Sequence, residues 1–186
     1  MTKSTDTLAI RHFHRFQNRD NLSVKIRPLR STDLQALMST VGILVDSLYP
    51  QGAEKLFARL ENALNGYATA NVVESLTLGP IALASETLKG ADNVKVSTFW
   101  VHQDFRGRGI GGRLLDHRLE DWRHSNRGHA IVTVREDRAA ELERLFTPRG
   151  FTRVAVDIDR YGDGQNEVIL KWTHRDSLPL AARYVA

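Results

Sequence analysis

Residues 101–115 of this 186-residue chain read VHQDFRGRGIGGRLL, and no other stretch constrains the fold as tightly. The segment before it, residues 94–102 (VKVSTFWVH), is rich in β-branched and aromatic residues and has the make-up of a strand. After it, Ile110, Leu114, Leu115, Leu119 and Trp122 fall on one helical stripe. Between strand and helix lie Gly107, Gly109, Gly111 and Gly112, four glycines in six positions, with Arg106 and Arg108 beside them. Glycine admits positive φ and lets a ligand approach the backbone, while the first turn of a helix presents N–H groups with no intrahelical acceptor. The helix dipole adds partial positive charge at that end, and the two arginines add full charges. The segment therefore predicts an anion cradle that fits a pyrophosphate. A merely tight turn needs one glycine, not four.

The rest of the chain supplies the frame. Residues 22–29 (LSVKIRPL) alternate as a strand that Pro28 ends. Ser31 or Thr32 can cap a helix carrying Leu34, Leu37, Met38, Val41, Leu44, Val45 and Leu48, which Tyr49-Pro50 stops. A second amphipathic helix carries Leu56, Phe57, Leu60 and Leu64, with Gly66 as a left-handed cap. Residues 71–78 and 81–88 flank Gly79-Pro80 and predict a hairpin. Beyond the glycine-led helix come a strand at 129–135, a short helix at 138–146, and strands at 151–158 and 167–172 around a Tyr161-Gly162-Asp163-Gly164 turn. The order is β-α-α-β-β-β-α-β-α-β-β, an α/β (α+β) chain with no internal repeat. Residues 1–21 read as a polar N-terminal tail, 22–174 as one domain and 175–186 as a C-terminal tail.

Composition removes several classes of function. With 41% hydrophobic and 26% charged residues the chain is of globular type, and no apolar run is long enough for a membrane span. The N-terminus has charges and histidines where a secretory signal has an apolar core, so a cytoplasmic protein without a membrane partner is expected. The absence of cysteine excludes disulfides, thiolate metal sites and cysteine nucleophiles. His12 and His14 have same-face strand spacing but no carboxylate cluster near them, so no metal site is expected. A net charge of +4, with arginine leading the basic side, suits either a phosphate-bearing cosubstrate or RNA.

Gly107 to Gly112 also satisfies G-x-G-x-x-G, with Glu136 ending the next strand where a ribose-binding acid could sit. A dinucleotide site belongs to alternating β-α-β units, however, and here a hairpin precedes the motif and only one further helix follows. A second pattern accounts for more of the chain. Arg106-x-x-Gly109-x-Gly111 after a strand, followed by Leu145-Phe146-Thr147-Pro148-Arg149-Gly150-Phe151, resembles the two signatures of the GNAT superfamily of acetyl-CoA-dependent N-acetyltransferases. The resemblance implies a central mixed, mostly antiparallel sheet, flanked by helices and splayed open between the strands at 94–102 and 129–135. Acetyl-CoA would lie in that cleft, with its pantetheine on backbone at Phe99, Trp100 and Val101. Its pyrophosphate would lie on Arg106, Gly107, Arg108, Gly109, Ile110, Gly111 and Gly112, with Phe146 against the cofactor arm. The implied reaction is acetyl transfer to a small-molecule or macromolecular amine, and a homodimer is compatible with it.

The chain departs from the family pattern where acid–base groups usually stand. Phe146 occupies the position of a tyrosine acid, Ala139 that of an asparagine, and Lys95 that of a carboxylate base. Glu86, Ser97 and Thr98 are the substitutes read from the sequence, Glu86 as a base acting through water and the other two as cleft-lining hydroxyls. Tyr161 and His102 are weaker candidates, in a turn and at a strand end. Two further functions fit the same residues: a tRNA- or protein-directed acetyltransferase, favoured by the basic balance, and a catalytically silent CoA-binding or interaction module, favoured by those departures.

Overall fold

The structure, a computed structural model, describes residues 15–17 and 23–174; His12, His14 and the segment 175–186 lie outside them. Eight strands form one sheet: β1 (Arg15–Gln17), β2 (Ser23–Pro28), β3 (Thr69–Ser75), β4 (Gly79–Lys89), β5 (Asn93–Val101), β6 (His129–Arg135), β7 (Thr152–Asp157) and β8 (Glu167–Thr173). Their order is β1-β2-β3-β4-β5-β6-β8-β7, and every pair is antiparallel except β5–β6. The mixed, mostly antiparallel sheet expected from the sequence is thus present, with one addition. Arg15–Gln17, inside the segment read as a tail, pairs with β2 and extends the sheet edge.

Helices cover both faces. On one, α1 (Leu34–Leu37), α2 (Ile43–Leu48), the turn between them and α3 (Gly52–Leu64) bury Leu37, Val41, Leu56 and Leu60 against Val72, Leu83 and Trp100. On the other, α4 (Ile110–His124) and α5 (Ala139–Phe146) bury Leu115, Leu119, Trp122 and Phe146 against Val94, Val96, Ala130, Val132 and Leu170. None of the described helices is long and apolar enough to cross a membrane.

Two local expectations differ from what the chain does. The single helix predicted from Ser31 to Leu48 is broken into a 3-10 turn (Ser31–Asp33), α1, a π-turn (Met38–Gly42) and α2. Ser39 Oγ and Thr40 Oγ1 both donate back to the Ala36 carbonyl, at 3.0 and 2.8 Å, and such bonds compete with the helical ladder. Gly79-Pro80 does not make the hairpin turn. Both residues belong to β4, opposite Ser75 and Glu74 beside a register shift, and residues 76–78 turn the chain.

Two buried ionic networks tie the layers together. Arg27 holds Asp33 through a fork of 2.7 and 2.8 Å and Glu74 through a second of 2.7 and 2.9 Å. Across the other face, Arg118 of α4 pairs with Glu86 of β4 and Asp121, and donates to Asn71 Oδ1 at 2.9 Å. The second Glu86 oxygen accepts the Trp122 indole N–H at 2.8 Å. Below the sheet Phe146 meets Phe99 and Phe151 edge-on, with centroids 5.2 and 4.9 Å away.

Removing one member of a buried pair leaves the other charge uncompensated. Glu86→Ala should therefore destabilise the protein by roughly 3–5 kcal/mol, read as a lower midpoint in urea unfolding. Phe146, which has no exposed surface, should cost about 3–5 kcal/mol on truncation to alanine. An unshifted midpoint in either variant would contradict the packing described.

The Arg27 network also sets an acid limit. Burial pushes the Asp33 carboxyl up, but the Arg27 bonds and the Arg30 N–H outweigh it and hold the group below its ordinary range. The Arg27 bonds lower Glu74 as well, against a smaller effect of burial. A carboxyl whose folded pKa lies below its unfolded value stabilises the fold above that unfolded value, near 4, and loses this as pH falls through the folded one. Stability should therefore drop below about pH 4, and Asp33→Asn should flatten that decline while lowering stability at neutral pH. Urea midpoints between pH 2 and 7 test this, and equal slopes in the two proteins would refute it.

Candidate active site

The site begins where a strand pairing gives out. β5 and β6 run in register from Asn93↔His129 to Val96↔Val132 and no further, although β5 continues to Val101 and β6 to Arg135. On its other side β5 stays paired with β4, but Ser85 faces Thr98 while Glu86 faces Val96, which leaves Ser97 as a bulged extra residue. The bulge re-aims the strand at the point of divergence. Residues 97–101 of β5 therefore turn an unpaired backbone edge toward β6, across a cleft of about 650 Å³. This lies within the range of small-ligand sites.

The glycine segment closes one end. Gly109 caps α4 with φ +79°, a conformation costly for other residues, and directs the chain straight into the helix. The N–H groups of Ile110, Gly111 and Gly112 consequently lack intrahelical acceptors. At Gly111 an added Cβ would lie 3.3 Å from Val101 and 3.4 Å from Leu145, so α4 enters tightly between β5 and α5. Arg106 lies along the cleft, its Nε donating to the Val101 carbonyl at 3.1 Å and its Nη1 to Glu141 at 3.2 Å.

The structure gathers most of the sequence candidates here. Phe99, Trp100, Val101, Arg106, Gly107, Gly109, Ile110, Gly111 and Gly112 line the cleft, as do Ser97, Thr98 and Tyr161. Four residues are placed elsewhere. Arg108 is not among the lining residues, although its guanidinium sits 5.6 Å from the centroid of the Phe105 ring, which does line the cleft. Phe146 does not reach the lining: it is fully buried behind Phe99, whose ring faces the cleft in its place. Glu86 is buried on the α4 face with both oxygens taken by Arg118 and Trp122, so it does not stand in the cleft as a base. His102 likewise lies outside the lining, its Nδ1 accepting the Asp104 N–H at 3.3 Å.

The opposite end holds a polar cluster that the sequence did not announce. Tyr161 Oη–H donates to Glu167, a buried carboxylate at the start of β8, and its ring meets Tyr49 edge-on at 5.2 Å. All three residues line the cleft. Burial, and then the Glu167 bond and charge, push the Tyr161 hydroxyl well above its ordinary value, so it stays protonated and keeps donating. Burial raises Tyr49 too. A glutamate inside the apolar strand Glu167–Thr173 was the available signal; its partner six residues earlier looked like ordinary turn material. Among the described residues no group of three or more His, Asp or Glu side chains could hold a metal ion.

Comparison with known proteins agrees with this geometry. Among solved structures, an IAA acetyltransferase from Bacillus cereus ATCC 14579 superposes with a TM-score of 0.64 at 15% identity, covering 82% of this chain and 100% of its own. A GNAT family acetyltransferase from Elizabethkingia anophelis with acetyl-CoA bound gives 0.62 at 14% identity, over 81% and 98%. A ribosomal-protein-alanine N-acetyltransferase from Brucella melitensis gives 0.66 at 20% identity, over 80% and 99%. These likenesses establish the fold. No curated protein matches the sequence. Residues 54–153, more than half of the chain and a segment that runs from α3 through the cleft into β7, match the acetyltransferase (GNAT) domain, and the chain belongs to that family.

Proposed function

We propose that this chain transfers the acetyl group of acetyl-CoA to a primary amine inside the cleft between β5 and β6. The observation that carries this reading is the unpaired edge of residues 97–101 running into the glycine cradle. An extended arm containing amides can pair with that edge as an added strand does, and a pyrophosphate can take the N–H groups of Ile110, Gly111 and Gly112 at the positive end of α4. Arg106 stands beside the cradle with spare donors, and Phe99 and Val101 give the arm apolar contact. A protein of this fold holding acetyl-CoA supports the choice of cosubstrate.

Acetyl-CoA supplies an activated thioester, and the protein holds it beside the amine, which alone can supply much of the rate. The new C–N bond forms as the C–S bond breaks. The amine must lose one proton, and we assign its acceptor as Glu167. One Glu167 oxygen is fixed by Tyr161, which leaves the other for the incoming amine. The pair lies across the cleft from the bulge at Ser97 and replaces the base position that Lys95 leaves without a carboxylate. Phe146 carries no acidic proton and is out of reach, so the departing sulfur takes its proton from solvent. A thiol with pKa near 8.5, by analogy with cysteine, allows this at neutral pH.

Two outcomes follow. Gly111→Asp places bulk and negative charge in the cradle, and acetyl-CoA binding should fall below detection in calorimetry while the protein remains folded by circular dichroism; unchanged affinity would refute the cradle. Glu167→Gln should lower kcat by about 10²–10⁴-fold with acetyl-CoA affinity preserved, and Tyr161→Phe should lower it less. Full turnover in Glu167→Gln would remove Glu167 from the chemistry.

A further inference from the structure

We infer that the acceptor amine carries a carboxylate, and that Arg59 on α3 is the residue that binds it. This rests on the acetyl-transfer reading of the cleft and narrows it to a class of substrate.

The cleft has several cations, and partners together with position set Arg59 apart. Lys55 donates to the Pro50 carbonyl at 2.9 Å, and Arg138 to Glu141 at 3.1 Å. Arg106 is engaged by Val101 and Glu141, and Arg160 lies 3.8 Å from Asp157. Arg59 and Lys95 also line the cleft and are partly buried, and no hydrogen-bond or ion-pair partner meets either cation among the described residues. Lys95 stands on β5 where that strand is still paired with β6, whereas Arg59 stands on the helical wall beside Tyr161. A guanidinium remains charged in any protein environment and has five donors. Burial opposes that charge at Arg59, and an arriving anion relieves the penalty through charge-assisted bonds. The planar fork matches a carboxylate or a phosphate in two-point contact.

Location says which reactant brings the anion. Arg59 belongs to the helical layer opposite α4, so it stands across the sheet from the glycine cradle and its phosphate-binding N–H groups. It is close enough to Tyr161 to interact with it electrostatically. Glu167, the carboxylate at this end, is held by Tyr161 and does not neutralise Arg59. An acceptor spanning this end therefore meets Glu167 with its amine and Arg59 with an anion. Leu44, Val45 and Leu48 add an apolar wall for the body between them. That pattern describes an amino acid or a similar amine carrying a carboxylate, with an apolar side chain.

The test uses the full chain and matched acceptors: leucine and phenylalanine, their amides, and the aminophosphonate analogue of leucine, each with acetyl-CoA. The free acids should exceed the amides in kcat/KM by roughly tenfold or more, and Arg59→Gln should erase that ratio while Arg59→Lys keeps part of it. A second readout does not depend on turnover. N-acetylleucine should bind the CoA-saturated protein in calorimetry, about tenfold more weakly in Arg59→Gln, with CoA affinity the same in both. Acetylation of amides as fast as acids, or an acid preference that survives Arg59→Gln, overturns the inference and leaves acetyl transfer standing. Binding of N-acetylleucine that depends on Arg59 without turnover of any amine supports the anion site and sinks the acetyl-transfer reading. A preference for the aminophosphonate over leucine overturns the carboxylate assignment in favour of a phosphate-bearing amine. Failure of both acetylation and N-acetylleucine binding overturns the inference outright.

Discussion

The molecule depends on a pairing that stops after four residues. Among the described strands β5 and β6 are the only parallel neighbours, and parallel neighbours need a crossover, here α4. The crossover brings the N-terminus of α4 to the end of β5, beside the point where the strands separate. A pairing that continued to Val101 would satisfy the backbone of residues 97–101 and fill the cleft. The bulge at Ser97 turns β5 away from β6, and the rings of Phe99, Phe146 and Phe151 pack the space beneath the split. The cleft is therefore a break in hydrogen bonding held open by aromatic packing.

Around this break, charged groups give the walls their orientation. Replacing a buried ion pair by apolar neighbours often leaves a protein no less stable, so the two networks here matter chiefly for where they pin things. Arg118 joins α4 to β4 through Glu86 and to β3 through Asn71, which fixes the helix whose first turn faces the cleft. Arg27 joins β2, β3 and the turn ahead of α1, which fixes the start of the helical layer that carries Arg59. Both arginines reach residues far away in sequence. Each wall of the site is thus anchored from behind.

This explains what the sequence disclosed and what it kept back. The glycine segment was legible because its chemistry is local: positive φ at Gly109 and free N–H groups at a helix start depend on a few adjacent residues. The strand at 129–135 and the helix stripe of α4 were legible from periodicity for the same reason. Glu86 misled, because a strand glutamate alone does not reveal an arginine 32 residues later. Phe146 was read as lying against the cofactor arm, but its burial behind Phe99 depends on three elements meeting. The break in the helix predicted over residues 31–48 came from hydroxyls bonding back onto the chain, which apolar spacing does not register. Tyr49, Tyr161 and Glu167 are brought together by tertiary structure alone.

The two ends of the cleft accordingly follow different rules of recognition. One is built from backbone N–H groups and close approach, so its sequence requirement reduces to glycines at fixed spacing, with one arginine beside them. The other is built from side chains on α2, α3 and the β7–β8 connection, where residue identity can change without disturbing the sheet. Proteins with 14–20% identity to this chain share its fold over four fifths of its length, as expected if the frame and the cradle are set by pattern and the facing wall by individual residues. In the proposed function, phosphates and amide arms are read by the shared part. On the proposed reading the acceptor is read by Arg59, Tyr161 and Glu167, which is why a motif that identifies the family would carry no information about the amine.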